Sequence, residues 1–258
     1  AGLSFMDFIV NNGPAVVLIL AVTCLCFYFI YGRKMVVDQK KMDAVMLLDE
    51  NKSIKDHALL VKSVVMICVV VVGFVSHSTL GVESSVIALG CAVIMMLIGR
   101  QETEEIILGV EWSTILFFVG LFIVVGGMVD TGVITMLGNL LFEVTGGNAL
   151  MMMLLILWAS AFLSAILDNI PFCATMIPMI LSLQADGMDV TALWWALSLG
   201  ACLGGNGTLI GASANVVLSG ISAKHGHPIT FMQYLKIGLP MMILSVVIST
   251  IYLMFRFA

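Results

Sequence analysis

Long apolar stretches separated by short polar segments make up most of the 258-residue chain. About 20 helical residues cross the hydrocarbon core of a bilayer, and a helix satisfies its own backbone hydrogen bonds there. The predicted spans and partial spans are residues 14–31, 59–75, 86–98, 112–129, 149–183, 193–223 and 237–255. This pattern predicts an all-α membrane protein, a polytopic helical bundle.

A basic segment follows the first span. Residues 33–57 hold the basic side chains Arg33, Lys34, Lys40, Lys41, Lys52 and Lys55. An excess of Lys and Arg marks the cytoplasmic side, and two further spans bring Arg100 back to it. Residues 101–111 mix acidic and apolar positions at helical spacing, which predicts a short interfacial helix. Asn148 and the C-terminus are then expected on the opposite side.

Two of the apolar runs carry polar residues at their centres. Residues 149–184 contain Asp168-Asn169-Ile170-Pro171, which fits either one long tilted span or a re-entrant hairpin that turns there, and the prolines favour the hairpin. Residues 193–223 contain a glycine-rich centre, and each interior glycine costs a helix about 1 kcal/mol relative to alanine. We therefore predict a broken helix that lines a cavity. The expected hinge positions are Pro171, Gly204, Gly205, Gly207 and Gly211.

Asp168 is the candidate charged group of a binding site. Inserting an aspartate at the bilayer centre costs about 2.5 to 3.5 kcal/mol, and a bound cation or a proton would neutralise its charge. The alternative is that Asp168 caps the following half-helix, and the two roles can coexist. A transported sodium is expected near Asp168 and Asn215.

Neutral polar side chains at similar depth are candidates to complete the shell of an ion or anion. These residues are Asn169, Thr175, Asn206, Thr208, Ser213 and Asn215. The alternative is that they only form hydrogen bonds between helices, as such residues often do in membranes. Neither a structural metal nor a cofactor is expected.

The composition excludes several other classes of protein. The chain is 61% hydrophobic and 10% charged, with a net charge of −5, whereas soluble domains have about 25% charged residues. The basic residues form no stripe, which argues against nucleic-acid binding. No nucleophile and base pair, metal-ligand cluster or cofactor motif is present, so an enzyme is not expected.

The polar clusters resemble those of the ion transporter superfamily. Its branches include arsenite permeases, sodium/proton antiporters and citrate transporter-like carriers, and the melanocyte P protein-like branch is nearest. The similarity covers about residues 58–258 and rests on residues 110–112, 168–178 and 200–215. Carboxylate carriers of this superfamily have a Ser-Asn-Thr motif at both clusters, which this chain lacks, so the resemblance argues against dicarboxylate transport.

The resemblance implies the second of two inverted repeats, with the first repeat missing from this chain. Residues 1–32 would be the last span of the preceding repeat, 33–57 a cytoplasmic loop and 58–258 the C-terminal repeat. Within that repeat we expect scaffold spans in 58–130, the hairpin in 149–184, the broken helix in 193–223 and the last span at 237–255. The full-length protein would be a homodimer with a moving transport domain.

Together these features predict a secondary active transporter in the lipid bilayer, a permease or antiporter, that moves a small inorganic ion or organic anion. Sodium or protons would supply the coupling. The membrane would be a bacterial inner membrane or a eukaryotic organelle membrane. The alternative is a non-transporting membrane subunit or an incomplete half-transporter. An upstream in-frame segment with its own hairpin motif would favour the transporter.

Overall fold

The computed structural model describes residues 2–35, 39–47, 54, 56–99 and 102–257, with the backbone alone at positions 34, 41, 44, 45 and 78. Within these ranges the regular structure is helical, which confirms the predicted all-α class. The helices are α1 (Phe5–Ile30), α2 (Gln39–Met46), α3 (His57–Leu80), α4 (Ser84–Gly99), α5 (Thr103–Leu108), α6 (Trp112–Asp130), α7 (Val133–Thr145), α8 (Ala149–Ser164), α9 (Asn169–Ala185), α10 (Thr191–Gly204), α11 (Ser213–Lys224) and α12 (Phe231–Phe257). Among the described residues, α1, α3, α6 and α12 are long and apolar enough to span a membrane by themselves.

Two helices depart from the hydropathy pattern. Helix α1 begins at Phe5 rather than residue 14, because Ser4 and Asp7 form a reciprocal capping box that starts the helix early. Helix α7 occupies residues between two predicted spans, where no helix was predicted. Its buried positions Ile134, Gly138 and Leu141 recur at helical spacing, and this short stripe supplies the helix with a packing face.

The polar segments between spans are partly helical. Residues Gly32–Lys34 form a short 3-10 turn, and α2 lies within the predicted basic loop. The acidic segment forms α5. Trp112, at the start of α6, donates a hydrogen bond from its side-chain Nε1 to the carbonyl of Ile107 in α5 over 3.1 Å. Of the predicted basic positions, Lys52, Lys55 and Arg100 lie outside the described residues.

The chain divides into two compact units, of which one comprises Gly2–Val10 and Leu25–Trp112. Here α3 and α4 form an antiparallel pair joined through Gly81, whose φ of 63° is left-handed. At the far end of the pair, the ammonium of Lys62 donates to the carbonyl of Ile98 over 2.8 Å. That bond satisfies one of the carbonyls that the last turn of α4 leaves without a helical donor.

The other unit comprises Asn11–Cys24 and Ser113–Ala258 and is centred on the packed pair α8 and α10. Gly200 and Gly204 lie one turn apart on α10, and a Cβ at either position would overlap the backbone of α8 at Leu157 or Ala161. Small residues at this spacing let membrane helices approach closely. The two helix backbones are therefore in direct contact just before α10 ends.

Helices α1 and α12 are attached to this pair by hydrogen bonds. Asn12 Nδ2 donates to Ser198 Oγ of α10 over 2.9 Å, and the Tyr252 hydroxyl donates to Asn11 O over 2.6 Å. Trp158 Nε1 of α8 donates to Thr250 Oγ1 of α12 over 3.1 Å. The middle of α1 is thus part of the same compact unit as α8, α10 and α12.

Helix α7 packs against α9 and meets α8 at a bend of 118°. The bend runs through Gly146 and Gly147, whose φ values of 60° and 70° are both left-handed. Such a pair of angles is readily reached by glycine and by few other residues. The sharp change of direction between α7 and α8 therefore depends on these two positions.

Candidate functional site: the hairpin turn and the helix break

The run 149–184 is folded as two helices, α8 and α9, that meet in a turn at residues 165–168. Asp168 is the N-cap of α9, and its carboxylate accepts a hydrogen bond from the N–H of Ile170 over 3.3 Å. Pro171 lies in the first turn of α9, where a helix has no use for the missing N–H. The structure therefore interrupts this run near the predicted position and shows the capping role of Asp168, while a re-entrant hairpin stays a prediction.

The run 193–223 is interrupted between Gly204, the last residue of α10, and Ser213, the first residue of α11. Helix ends leave carbonyl and N–H groups without helical partners, and at membrane depth each unsatisfied group costs several kcal/mol. Asn215 supplies two donors to this break, from Nδ2 to Gly205 O over 3.0 Å and to Thr208 O over 3.2 Å. Because both acceptors are carbonyls, the amide nitrogen must face them, and Oδ1 faces the other way.

Thr208 connects the break to the hairpin turn. Its side chain is buried, and its hydroxyl donates to the carbonyl of Ala165, which is the C-cap of α8. The same oxygen accepts a hydrogen bond from Gly211 N over 3.0 Å. One side chain thus satisfies a carbonyl at the end of α8 and an N–H inside the break.

The glycines of the break are required for space rather than for left-handed backbone. Among the described residues, the positive φ angles of glycines do not include positions 204, 205, 207 or 211. A Cβ on Gly211 would lie 2.9 Å from both Ala165 O and Gly205 O, and one on Gly207 would lie 3.2 Å from Ala165 Cβ. The broken segment is therefore folded tightly around Ala165.

The other predicted site residues lie at the surface of this arrangement. Asp168, Asn206 and Ser213 are exposed, while Asn169 and Thr175 are half-buried. Thr175 donates within its own helix, from Oγ1 to Phe172 O over 2.8 Å. Within the described part of the chain, the hydrogen bonds of the Asp168 side chain and those of the break do not meet. A shell shared by Asp168 and Asn215 therefore stays a prediction.

Sequence reasoning missed three residues whose contacts hold the helices around the site together. Ser164 Oγ donates to Ala201 O over 2.7 Å in the buried contact between α8 and α10. Gly238 of α12 lies where a Cβ would be 2.6 Å from Asn206 O. Asn12 was missed because hydropathy starts the first span after it, although an asparagine beside Gly13-Pro14 in an apolar run is a visible signal.

The two helices that start at the site differ in how their N-termini are capped. Asp168 already places a carboxylate at the start of α9, whereas Ala212, the N-cap residue of α11, has no side chain that could cap that helix. A helix N-terminus carries partial positive charge and favours anions. The start of α11 therefore lacks the capping carboxylate that the start of α9 has.

The polar residues of the turn and the break do not form a metal-binding cluster in the described part of the chain. In the ranges that the structure describes, no group of three or more His, Cys, Asp or Glu side chains could hold a metal ion. The polar groups of the break are instead neutral amides, hydroxyls and backbone groups, and Asp168 lies three residues after Ala165, whose carbonyl accepts from Thr208. Such groups are the ones that can replace the hydration shell of a small ion.

A family model described as "Citrate transporter" matches residues 1–200, which include the hairpin turn and end just before the break. The chain is 40% identical over 260 residues to an uncharacterized transporter of Mycobacterium tuberculosis, covering 100% of this chain and 60% of that protein. It is 37% identical over 260 residues to a 46 kDa membrane protein of Mycobacterium leprae, covering 100% of this chain and 61% of that protein. The chain thus spans about 60% of the length of these mycobacterial relatives.

A eukaryotic relative is also similar. The P protein of Homo sapiens is 37% identical over 227 residues, which cover 80% of this chain and 26% of that protein. No solved structure matches the chain. The similarity to the P protein agrees with the branch of transporters that the sequence motifs resemble.

Proposed function

The chain belongs to the citrate transporter family of integral, multi-pass membrane proteins, and we propose that it forms the substrate-binding half of a secondary active transporter. The proposed substrate is a small inorganic ion or an organic anion, and the proposed coupling ion is sodium or a proton. The observation that carries this proposal is the helix break, in which Thr208 and Asn215 satisfy the interrupted backbone beside the Asp168 turn. The full-length protein would work as a homodimer, with a preceding repeat completing the site.

The cation end of the site consists of Asp168 and Asn215. Asp168 holds an exposed carboxylate at the hairpin turn, and Asn215 has its carbonyl oxygen turned away from the break by the two bonds of its amide nitrogen. Oxygen ligands of this kind suit sodium. A cation and a proton would compete for the one carboxylate, because each neutralises the charge that the other needs. Exchange of sodium for protons then requires no second acidic residue.

The anion end consists of the start of α11. Ser213 is exposed there, and the N–H groups of the first turn have no side-chain cap from Ala212. The N–H of Asn215 already donates to Ala212 O over 3.1 Å, so a carboxylate or an inorganic oxyanion would accept from the N–H groups of Ser213 and Ala214 and interact with the partial positive charge of the helix. The family description supports a carboxylate such as citrate, whereas the absence of the Ser-Asn-Thr motif supports an inorganic ion. A transport assay that offers both kinds of solute distinguishes them.

The test is transport by the full-length protein in proteoliposomes. Uptake of radiolabelled citrate, arsenite and sodium is measured with imposed sodium or pH gradients, for the wild type and Asp168→Asn. The amide keeps the size and polarity of the side chain and cannot exchange a proton. Loss of one cation contact of this kind should raise the sodium concentration for half-maximal uptake at least about tenfold.

Asp186→Asn is the matched control, because Asp186 is an exposed aspartate at the other end of α9. It should transport as the wild type does. Gradient-driven, pH-dependent uptake at wild-type rates by Asp168→Asn would show that Asp168 only caps α9. Failure of the wild type to move any of these solutes with either gradient would favour the non-transporting alternative.

A further inference from the structure

Thr208 was a candidate ligand in the sequence, but its contacts describe a different role. The side chain is 7% exposed, and its hydroxyl already donates to Ala165 O and accepts from Gly211 N. A hydroxyl has one hydrogen to donate and two lone pairs, so one lone pair is all that remains. Burial and saturation together leave this side chain poorly suited to hold a transported solute.

The bonds of Thr208 form a path between the two ends of the site. Ala165, which accepts from the hydroxyl, lies three residues before Asp168 in the same tight turn. The carbonyl of Thr208 accepts from Asn215 Nδ2 over 3.2 Å, which fixes the orientation of that amide. The hairpin turn and Asn215 are therefore both held by one residue, through its side chain and its backbone.

The space around this path is closed. A Cβ added at Gly207 or at Gly211 would press against Ala165. At Gly211 the added Cβ would also lie 2.9 Å from Gly205 O. A loop packed this closely cannot substitute a new partner for Ala165 O without moving. The relative position of the turn and the break therefore depends on the hydrogen bond that the Thr208 hydroxyl donates to Ala165 O.

We propose that Thr208 is a positioning residue, which holds the Asp168 turn in register with Asn215 so that both can act on the same coupling ion. The proposal rests on the transport function proposed above. Its effect on the ion is exerted through Ala165 and Asn215, and not by contact of the hydroxyl with the ion.

Hydrogen exchange of the full-length protein in lipid nanodiscs tests the structural step without any substrate. Thr208→Val keeps the shape of the side chain and removes the hydroxyl, and it should raise exchange about tenfold in both residues 165–170 and residues 205–212. Thr208→Ser should restore wild-type exchange. Peptides from the first two turns of α8 serve as a control for global unfolding, and their exchange rates should not change. Wild-type exchange in residues 165–170 of Thr208→Val would overturn the proposal.

Transport tests the functional step. In Thr208→Val, the sodium concentration for half-maximal uptake should rise about tenfold, and Thr208→Ser should bring it back. In the Asp168→Asn background the same substitution should have no further effect, because the turn then carries no charge to position. Equal effects in both backgrounds would overturn the proposal, since Thr208 would then act independently of Asp168.

A second variant covers the case in which Thr208→Val does not fold. Gly211→Ala leaves the hydroxyl in place and adds a Cβ that would lie 2.9 Å from both Ala165 O and Gly205 O, so it should raise exchange in the same two segments. A wild type without sodium-dependent uptake would refute sodium coupling in the proposed function. The exchange measurements would still decide whether Thr208 holds the turn to the break.

Discussion

Replacing Asn215 by leucine tests whether the helix break is stabilised by one side chain. Leucine has a similar size and cannot donate to Gly205 O or Thr208 O, which accept from Nδ2 over 3.0 and 3.2 Å in the structure. A carbonyl left without its donor costs about 1 to 3 kcal/mol. Thr208 O keeps the hydrogen bond that it accepts from Gly211 N over 3.3 Å, so Gly205 O is the carbonyl that loses its donor. The expected cost is therefore about 1 to 3 kcal/mol, a sizeable part of the roughly 5 to 15 kcal/mol by which a domain is stable.

The side chain of Asn215 is half-buried, so water can reach part of the site and the lower end of that range applies. A cost of about 1 kcal/mol corresponds to a roughly fivefold increase in local opening, at about 1.4 kcal/mol per factor of ten. Because the cost falls on the break itself, amides in residues 205–212 should exchange faster by this factor. Amides in α8 should be nearly unchanged, since its core contacts are intact.

The assay is hydrogen exchange followed by mass spectrometry of the full-length protein in nanodiscs. Asn139→Leu is the matched control, because Asn139 is an exposed asparagine on α7, and it should leave residues 205–212 at wild-type exchange. Asn215→Gln should fall in between, since it retains the donors on a longer side chain. An increase of less than about threefold for Asn215→Leu would refute the idea that the Asn215 amide stabilises the break.

Other consequences concern packing, topology and charge. Gly204→Ala inserts a Cβ against the α8 backbone and should lower the free energy of unfolding by about 1 to 3 kcal/mol. Gly220→Ala is the control, because a Cβ added there meets no neighbouring group within 4 Å, and it should not lower stability. Thermal unfolding compares the two variants. Cysteines at positions 40 and 148 should react with impermeant reagents from opposite sides of the membrane, and labelling from one side would exclude the predicted topology. The Thr191 hydroxyl and N–H hold the pKa of the exposed Asp189 carboxyl below its usual range. Its stabilising contribution should therefore be present above the ordinary aspartate pKa of about 3.9 and be lost as pH falls through the lowered value; Asp189→Asn should remove that part of the pH dependence of unfolding.

The positions of the turn and of the helix break could be predicted because their sequence signals are local. Asp168 with Pro171 marks the start of a helix, and glycines with Ser213 and Asn215 weaken a helix wherever they occur. Both interruptions lie within a few residues of the predicted positions, at 165–168 and 205–212. The predicted all-α class follows from hydropathy alone.

The partners of the polar residues could not be predicted in the same way. Hydropathy identifies Thr208 and Asn215 as polar side chains at membrane depth. It cannot distinguish a side chain that binds a solute from one that binds a carbonyl of its own chain. The structure shows them bound to carbonyls, which depends on where a loop folds in space. Helix α7 was missed for a related reason, because its buried stripe of Ile134, Gly138 and Leu141 is too short to produce a span in a hydropathy window.

The Lys62 contact has a consequence for how the protein enters the bilayer during its synthesis. Lys62 lies near the start of α3, but the carbonyl that accepts from its ammonium belongs to Ile98, near the end of α4. The favourable interaction of this cation with the C-terminus of α4 exists only once α4 has been made. Insertion of α3 alone leaves that lysine without its partner, whereas insertion of both helices supplies it. The pair is therefore suited to leave the translocon together as one helical hairpin, with Gly81 as its turn.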